Sequence, residues 1–283
     1  MDAQASQPLT GRVVIVTGAG MSSSDGDAHG IGSAIAVALT CAGASVWAVD
    51  REEANAARTA AAAASAARGP GSCHAWRCDV TDGREVEGMV AACVAALGGV
   101  DGLVNSVGIA QPGGVLEVSP EQWHRTMETN VTAAFLCIRQ VIPHMLQRGR
   151  GSIVNVGSLS GVRALRPEVA YAASKGALSS LSMSVALEFA DRGIRCNTVL
   201  PGLIDTPLVS AMLRQQAAVR GADLAEGQLA AALAARDRAS PTGRMGRAWD
   251  CASLVAFLLS DASAYVSAAE IPVDGGLSKR AAL

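Results

Sequence analysis

Tyr171 and Lys175 stand four residues apart in a segment with helical spacing, and Ser158 lies thirteen residues before Tyr171, just past an apolar run, Gly151-Ser-Ile-Val-Asn-Val-Gly157. On a helix that interval puts both side chains on one face, one turn apart. A cation then neighbours a phenol. Free tyrosine titrates near ~10, and an adjacent ammonium stabilises the phenolate; bringing it to ~7 takes about 4 kcal/mol at roughly 1.36 kcal/mol per unit. Such a phenol is a general acid or base, and the Ser158 hydroxyl could hold a substrate oxygen in front of it. Taken alone, Tyr-x-x-x-Lys also fits an ordinary surface pair on any helix, so its meaning rests on the elements around it.

Those elements alternate between strand and helix. Arg12-Val-Val-Ile-Val-Thr17 is a β-branched run entering a glycine-rich turn, as a fully buried first strand would be. A helix follows from about Gly30 to Cys41, with Ile31, Ile35 and Leu39 on its packed face, and Gly43 ends it. Ser45-Val-Trp-Ala-Val-Asp50 is a second buried strand that closes on a carboxylate. The alternation predicts further strands at about 73–77, 101–105, 151–157, 194–199 and 269–273, and helices at about 52–67, 83–97, 119–147, 170–191 and 247–259, with a helical excursion over about 206–235. Seven such strands fit an α/β fold: a single doubly wound, parallel, Rossmann-like sheet with helices on both faces. The pattern predicts one domain over residues 1–283, with a helical substrate lobe at about 203–246 above the carboxyl edge of the sheet.

Composition narrows the function classes. Half of the 283 residues are hydrophobic, 17% are charged and the net charge is −2, so nothing in the charge favours nucleic acid or an anionic membrane as partner. The alanine-rich run Ala54 to Ala67 carries Arg58 and ends at Arg68-Gly69-Pro70, which reads as a helix and not a membrane span. The start, Met1-Asp-Ala-Gln-Ala-Ser-Gln-Pro8, has neither a basic nor an apolar stretch and so no secretory signal; a cytoplasmic protein is expected. The seven cysteines at 41, 73, 78, 93, 137, 196 and 251 are scattered, mostly in apolar patterns, and read as reduced, buried thiols. Histidines 29, 74, 124 and 144 have no ligand spacing, so no metal is expected.

Beyond the carboxyl ends of a doubly wound sheet, a helix N-terminus offers unpaired N–H groups to a phosphate. Thr17-Gly18-Ala19-Gly20, followed by His29-Gly30-Ile31-Gly32, suits that role, since glycines let the backbone approach a pyrophosphate. Asp50, at the end of the second strand, can accept hydrogen bonds from an adenosine ribose and would repel a 2′-phosphate, which favours NAD over NADP. Asp50 could instead cap the helix beginning near Arg51, and Arg51 could itself meet a 2′-phosphate. Asp79-Val80, after the third strand, could line the adenine pocket, although Asp79 could equally cap the helix near Thr81.

Together these residues resemble the short-chain dehydrogenase/reductase family, and the resemblance runs from Val13 to Gly276. Asn105-Ser106-Val107-Gly108 is similar to the family's Asn-Asn-Ala-Gly segment beside the adenosine. Asn130, in Asn130-Val131-Thr132, matches the family's catalytic asparagine, which holds a water in a proton relay with the lysine; Ser158, Tyr171 and Lys175 match the rest of that set. Pro201-Gly202-Leu203-Ile204-Asp205-Thr206 resembles the segment that holds the nicotinamide carboxamide, and Val273-Asp274-Gly275-Gly276 the family's C-terminal strand and turn. One departure stands out. The family's first turn reads Thr-Gly-x-x-x-Gly-x-Gly, but here Ser22 and Ser24 occupy the expected glycine positions and Gly30-Ile31-Gly32 arrives eight residues late. Met21 to Ala28 therefore reads as an insertion, with Asp25 and Asp27 expected to point into solvent away from a pyrophosphate; Asp25-x-Asp27-x-His29 could instead be a metal-binding sequence.

The resemblance implies NAD-dependent interconversion of a secondary alcohol and a ketone, with Tyr171 as general acid/base, Lys175 lowering its pKa and gripping the nicotinamide ribose, Ser158 orienting the oxygen and Asn130 supporting the relay. Alternatives are an NADPH-dependent reductase of 3-ketoacyl thioesters, a sugar-nucleotide epimerase or dehydratase, and a catalytically silent dinucleotide-binding protein. The substrate pocket is expected from about Val107 to Gly114, Leu159 to Arg166 and Leu203 to Met245. These stretches are mostly apolar, which suits a hydrophobic or cyclic alcohol or ketone, while Arg163, Arg166 and Arg214 could bind an acid if they face inward. The family's commonest assembly, a homotetramer packed through the two long helices, is expected here too.

Overall fold

β1 (Val13–Thr17) is buried at every position, which is what a β-branched run covered on both faces should show. The structure is a computed structural model and describes residues 7–22, 29–163, 167–219 and 225–280. After β1 come α1 (Ile31–Cys41), β2 (Ser45–Asp50), α2 (Glu53–Ala66), β3 (Ser72–Arg77), α3 (Gly83–Leu97) and β4 (Gly102–Asn105). α4 (Pro120–Met127), a π-helical turn (Glu128–Thr132), α5 (Ala133–Arg148), β5 (Gly151–Val156), α6 (Val169–Glu188) and β6 (Ile194–Pro201) follow. The last part comprises β7 (Ile204–Asp205), α7 (Pro207–Val219), α8 (Glu226–Ala239), β8 (Gly246–Arg247), α9 (Ala248–Leu259) and β9 (Glu270–Val273).

Seven strands form one sheet in the order β3-β2-β1-β4-β5-β6-β9, and every pairing is parallel. This is the expected doubly wound α/β sheet. The chain builds outward from β1 to β3, then crosses back to start β4 on the other side of β1, so Thr17 and Asn105 end side by side. Such a reversal opens a crevice beyond the strand ends. Alternate strand residues serve opposite layers: Ile15, Leu103 and Ile153 pack with Met89, Cys93, Cys137, Val141, Met145 and Val185 of α3, α5 and α6. Val14, Val16, Val104 and Val154 pack with Ala34, Ile35, Leu39, Ala252, Val255 and Leu258 of α1 and α9. All seven cysteines are free thiols; five are buried, Cys73 is half-buried and Cys41 is exposed.

The structure departs from the sequence pattern in three places. The expected helix over 119–147 is α4, a π turn and α5, a break at Glu128–Thr132 that no glycine or proline announces. The expected excursion over 206–235 is two helices, α7 and α8, and the segments flanking them pair as a second, two-stranded sheet, β7 with β8. The expected helix to 191 ends at Glu188, with a 3-10 turn over Ala190–Arg192 and left-handed Gly193 before β6. Among the described residues no helix is long and apolar enough to cross a membrane.

Asp101, buried just before β4, ties three segments together. Its carboxylate accepts hydrogen bonds from the Val13 N–H (2.9 Å), from Arg148 Nε (2.9 Å) and Nη2 (3.2 Å), and from Arg150 Nε (2.9 Å). Removing one partner of a buried charge network leaves the others unmatched. Because both arginines are partly solvated, Asp101→Ala should cost about 2–3 kcal/mol, read as a lowered urea midpoint at unchanged slope.

Candidate active site

The turn after β1 depends on close backbone approach. Gly18 has φ +64°, and a Cβ there would lie 2.9 Å from Val107 N, while a Cβ on Gly32 would run into Gly18 O. The first turn, the start of α1 and the loop after β4 are therefore stacked in contact, with the Ser106 N–H donating to Thr17 O (3.2 Å). Gly30 meets no such neighbour; it is the N-cap of α1, which has no side-chain cap and no acidic residue in its first turn. That leaves the first N–H groups of α1 facing the crevice with no anion among the described residues to cap them, the arrangement a phosphate needs. Ile31 adds a side chain to the wall.

Asp50 closes β2 beside this turn. One carboxylate oxygen accepts the Gly20 N–H (2.9 Å) and the other the Glu52 N–H (3.0 Å). It is not the helix cap: α2 begins at Glu53 with Glu52 as N-cap and no side-chain cap bond. Arg51 is exposed at the rim, its contact to Glu52 a loose 3.7 Å. Asp79 accepts from the Thr81 hydroxyl (2.7 Å) and Thr81 N–H (3.0 Å), bonds that hold its carboxyl below the usual range. Helix α3 is instead capped by Asp82. Val80 is buried at the same end.

The catalytic candidates come from the π turn, the loop after β5 and α6. Lys175 is buried, its Nζ donates to Val156 O at 2.8 Å, and it lies 5.8 Å from the centre of the Tyr171 ring. Burial lowers its pKa from 10.5 to about 8. Ser158 follows β5, its Oγ accepting the Ser160 N–H at 3.1 Å. Asn130 sits in the π turn, 1% exposed. Its amide accepts the Ile109 N–H (2.8 Å) and donates to Ile109 O (3.0 Å) and Ser174 Oγ (2.9 Å). Above Gly108, Lys175 Nζ and Asn130 Oδ1 converge: a Cβ there would be 3.2 Å from the one and 3.5 Å from the other.

These parts enclose a cavity of about 750 Å³, within the range of small-molecule and cofactor sites. One end is walled by Gly18, Gly30, Ile31, Gly32, Asp50 and Arg51, the other by Ser158, Tyr171, Lys175, Pro201, Gly202, Ile204 and Thr206, with Asp79, Val80, Ser106, Val107 and Gly108 between. Asn105 and Asn130 stand behind the wall. Asn105 Nδ2 donates to Asn155 Oδ1 (2.8 Å), bracing β4 against β5. A glycine-lined helix N-terminus and a strand-end carboxylate, opening into one cavity that also reaches Ser158, Tyr171 and Lys175, fit a dinucleotide.

A family model described as enoyl-(acyl carrier protein) reductase matches residues 26–278. The 2,5-dichloro-2,5-cyclohexadiene-1,4-diol dehydrogenase of Sphingobium indicum is 35% identical over 95% of this chain and 97% of its own length. The chain belongs to the short-chain dehydrogenase/reductase family. Among solved structures, a protein from Burkholderia xenovorans described as a member of this family superposes with a TM-score of 0.88 at 39% identity, covering 97% of this chain and 99% of its own. NAD+-bound xylitol dehydrogenase superposes at 0.83 with 28% identity, covering 95% and 99%.

As a short-chain dehydrogenase/reductase the chain has a partly unexpected pocket. Gly20, Ser22 and Asn55 join the wall at the glycine-rich end, Cys78, Arg125, Glu128 and Thr129 line it further along, and Ile109, Pro207, Leu208, Val209 and Ala211 complete the substrate end. Gly20 belongs to the expected glycine turn, Ile109 to the expected stretch from Val107 to Gly114, and Pro207, Leu208, Val209 and Ala211 to that from Leu203 to Met245; Asn55, Arg125, Glu128 and Thr129 had no local signal. The Cys78 thiol is pushed up to about 12, first by burial and then by Glu85 and Asp79. The pocket expected from Leu159 to Arg166 is corrected in part. Arg163 turns away and donates to Ser278 O (2.7 Å), Arg280 O (3.3 Å) and Leu277 O (3.4 Å). Arg214 is exposed and off the described wall. Arg166, Ser24, Asp25 and Asp27 lie outside the described residues, as does most of the insertion from Met21 to Ala28.

The Lys175 environment has a measurable sign. Folding takes this ammonium out of water, so the folded protein holds the proton more weakly than the unfolded chain. The penalty is complete below about pH 8 and fades as pH rises toward 10.5. Lys175→Met removes it, so the stability of the variant relative to wild type should be about 2–3 kcal/mol more favourable at pH 7 than at pH 10. Chemical denaturation at the two pH values measures this; an equal difference at both would contradict a buried charge.

Proposed function

We propose that this protein interconverts a secondary alcohol and a ketone with NAD as cofactor, within a single domain that binds the dinucleotide and carries the catalytic groups. The observation that carries the reading is one cavity with an uncapped helix N-terminus and Asp50 at one end and Ser158, Tyr171 and buried Lys175 at the other. When bound, NAD supplies the site that accepts or releases a hydride. In the oxidising direction Tyr171, as phenolate, takes the proton from the substrate hydroxyl, and Ser158 orients that oxygen with a hydrogen bond. The Lys175 ammonium stabilises the phenolate and, when the cofactor is present, grips the nicotinamide ribose. Asn130 keeps Ile109 and α6 in place and borders, with Lys175 Nζ, the space where a relay water would pass the proton on. Reduction runs the same steps backward with Tyr171 as acid.

Gly18, Gly30, Ile31 and Gly32 would hold the pyrophosphate, Asp50 the adenosine ribose, Asp79 and Val80 the adenine. Pro201, Gly202, Ile204 and Thr206 would hold the nicotinamide end. Asp50 disfavours a 2′-phosphate, and the solved relative with NAD+ bound supports the same choice. The described substrate end is apolar, with Ile109, Ile204, Pro207, Leu208 and Val209, and the Sphingobium relative is named for a cyclic diol. A hydrophobic or cyclic neutral alcohol fits both. Exposed Trp123, Phe135, Met183 and Leu187 on α4, α5 and α6 support a homotetramer packed through these helices.

Tyr171→Phe should lower turnover by about 10²–10⁴-fold while NADH, followed by fluorescence, still binds; retained activity would sink the role given to Tyr171. Wild-type protein should bind NADH more tightly than NADPH, and the opposite order would show Arg51 outweighing Asp50. Light scattering should give four times the 28.6 kDa chain mass; a monomer at micromolar concentration would remove the helical interface.

A further inference from the structure

We infer that Asn55, Arg58 and Thr59 of α2 are positioning residues that clamp the phosphate turn where the chain departs into its insertion; the inference rests on the dinucleotide reading above. Helix α2 is alanine-rich, and these three side chains stand at i, i+3 and i+4, so they share one face. That face meets the turn. Thr59 Oγ1, fully buried, donates to Ala19 O at 2.6 Å, and Arg58 Nε donates to Met21 O at 2.8 Å. The Arg58 guanidinium also donates to Asn55 Oδ1, and Asn55 O accepts the Met21 N–H at 3.1 Å. With the Ala19 N–H on Val49 O (2.9 Å) and the Gly20 N–H on Asp50 Oδ2 (2.9 Å), five backbone groups of Ala19, Gly20 and Met21 are fixed.

The other root is held as well. His29, the residue before Gly30, has Nδ1 3.2 Å from Ser33 Oγ, and its ring packs edge-on against Trp249 of α9 at 5.0 Å. The two ends of the inserted stretch are thus pinned to different helices, α2 and α1 with α9. Gly18, Gly20 and the start of α1 can then face the pyrophosphate however many residues join them. A short glycine turn fixes its own geometry through its length; a lengthened one needs outside partners, because added residues loosen the closure of a loop. Asn55 and Ser22 also reach the cavity wall, so the clamp borders the ligand it positions for.

The test uses the full chain with Arg58→Met, Thr59→Val and His29→Ala. Each should weaken NADH binding about tenfold, the usual effect of losing one well-placed hydrogen bond, while turnover at saturating cofactor falls less than twofold. Without cofactor, amide exchange should quicken in the peptide spanning 17–22 for the α2 variants and stay as in wild type elsewhere. Tight NADH binding by all three variants, or faster exchange throughout the protein with a matching fall in melting temperature, overturns the clamp. Wild-type protein that binds neither NADH nor NADPH overturns the dinucleotide reading instead, and the exchange measurement on 17–22 then decides the clamp by itself.

Discussion

The buried ammonium of Lys175 sets the terms for the rest of the site. A charge in that position costs stability, and it is kept there because α6 is fixed against the sheet and the π turn by hydrogen bonds from asparagine amides to helix serines. Asn130 Nδ2 donates to Ser174 Oγ, and Asn155 Nδ2 to Ser182 Oγ at 2.7 Å. The two serines are eight residues apart, a little over two turns, so they define both the axial position and the rotation of α6. Tyr171 and Lys175 inherit their placement from that register. The serine hydroxyls return their protons to Tyr171 O and Leu178 O, one turn back along the same helix.

The opposite end of the cavity is governed by close contact and not by charge. No acidic residue occupies the first turn of α1, and glycines at 18 and 32 allow three backbone segments to touch. The Asp50 carboxylate faces backbone N–H groups at Gly20 and Glu52, and so orders the turn. The partners of the turn lie on β2, α2 and the loop after β4.

Arginines show why residue type alone misleads at the substrate end. Arg163 lies five residues past Ser158, where sequence spacing suggests a hand for an acidic substrate, yet its guanidinium is taken up by three carbonyls of the C-terminal segment. That segment is near only because β9 lies beside β6 at the sheet edge and delivers the residues after it to the loop beyond β5. Arg280 continues the strap, donating to Ala239 O at the end of α8. The described cavity wall near Tyr171 is left to Ile109, Ile204, Leu208 and their neighbours.

Much of this was legible in the chain. β-branched runs ending in glycine or a carboxylate announced the strands, their alternation with helices announced a parallel sheet, and the helical interval between Tyr171 and Lys175 placed two side chains on one face whatever the fold around them. Other features had no local signal. The π turn at Asn130 carries neither glycine nor proline, and the pairing of Ile204–Asp205 with Gly246–Arg247 joins residues some forty positions apart. Asn55, Arg58 and Thr59 look like solvated residues of an alanine helix until α2 is laid beside the first turn. The sequence by itself determined which residues could exchange a proton and which backbone could approach a phosphate, since both follow from side-chain chemistry and short-range spacing. Only the tertiary structure decided which polar groups are spent on one another and which face the cavity, because hydrogen-bond partners and burial are set by segments far apart in the chain.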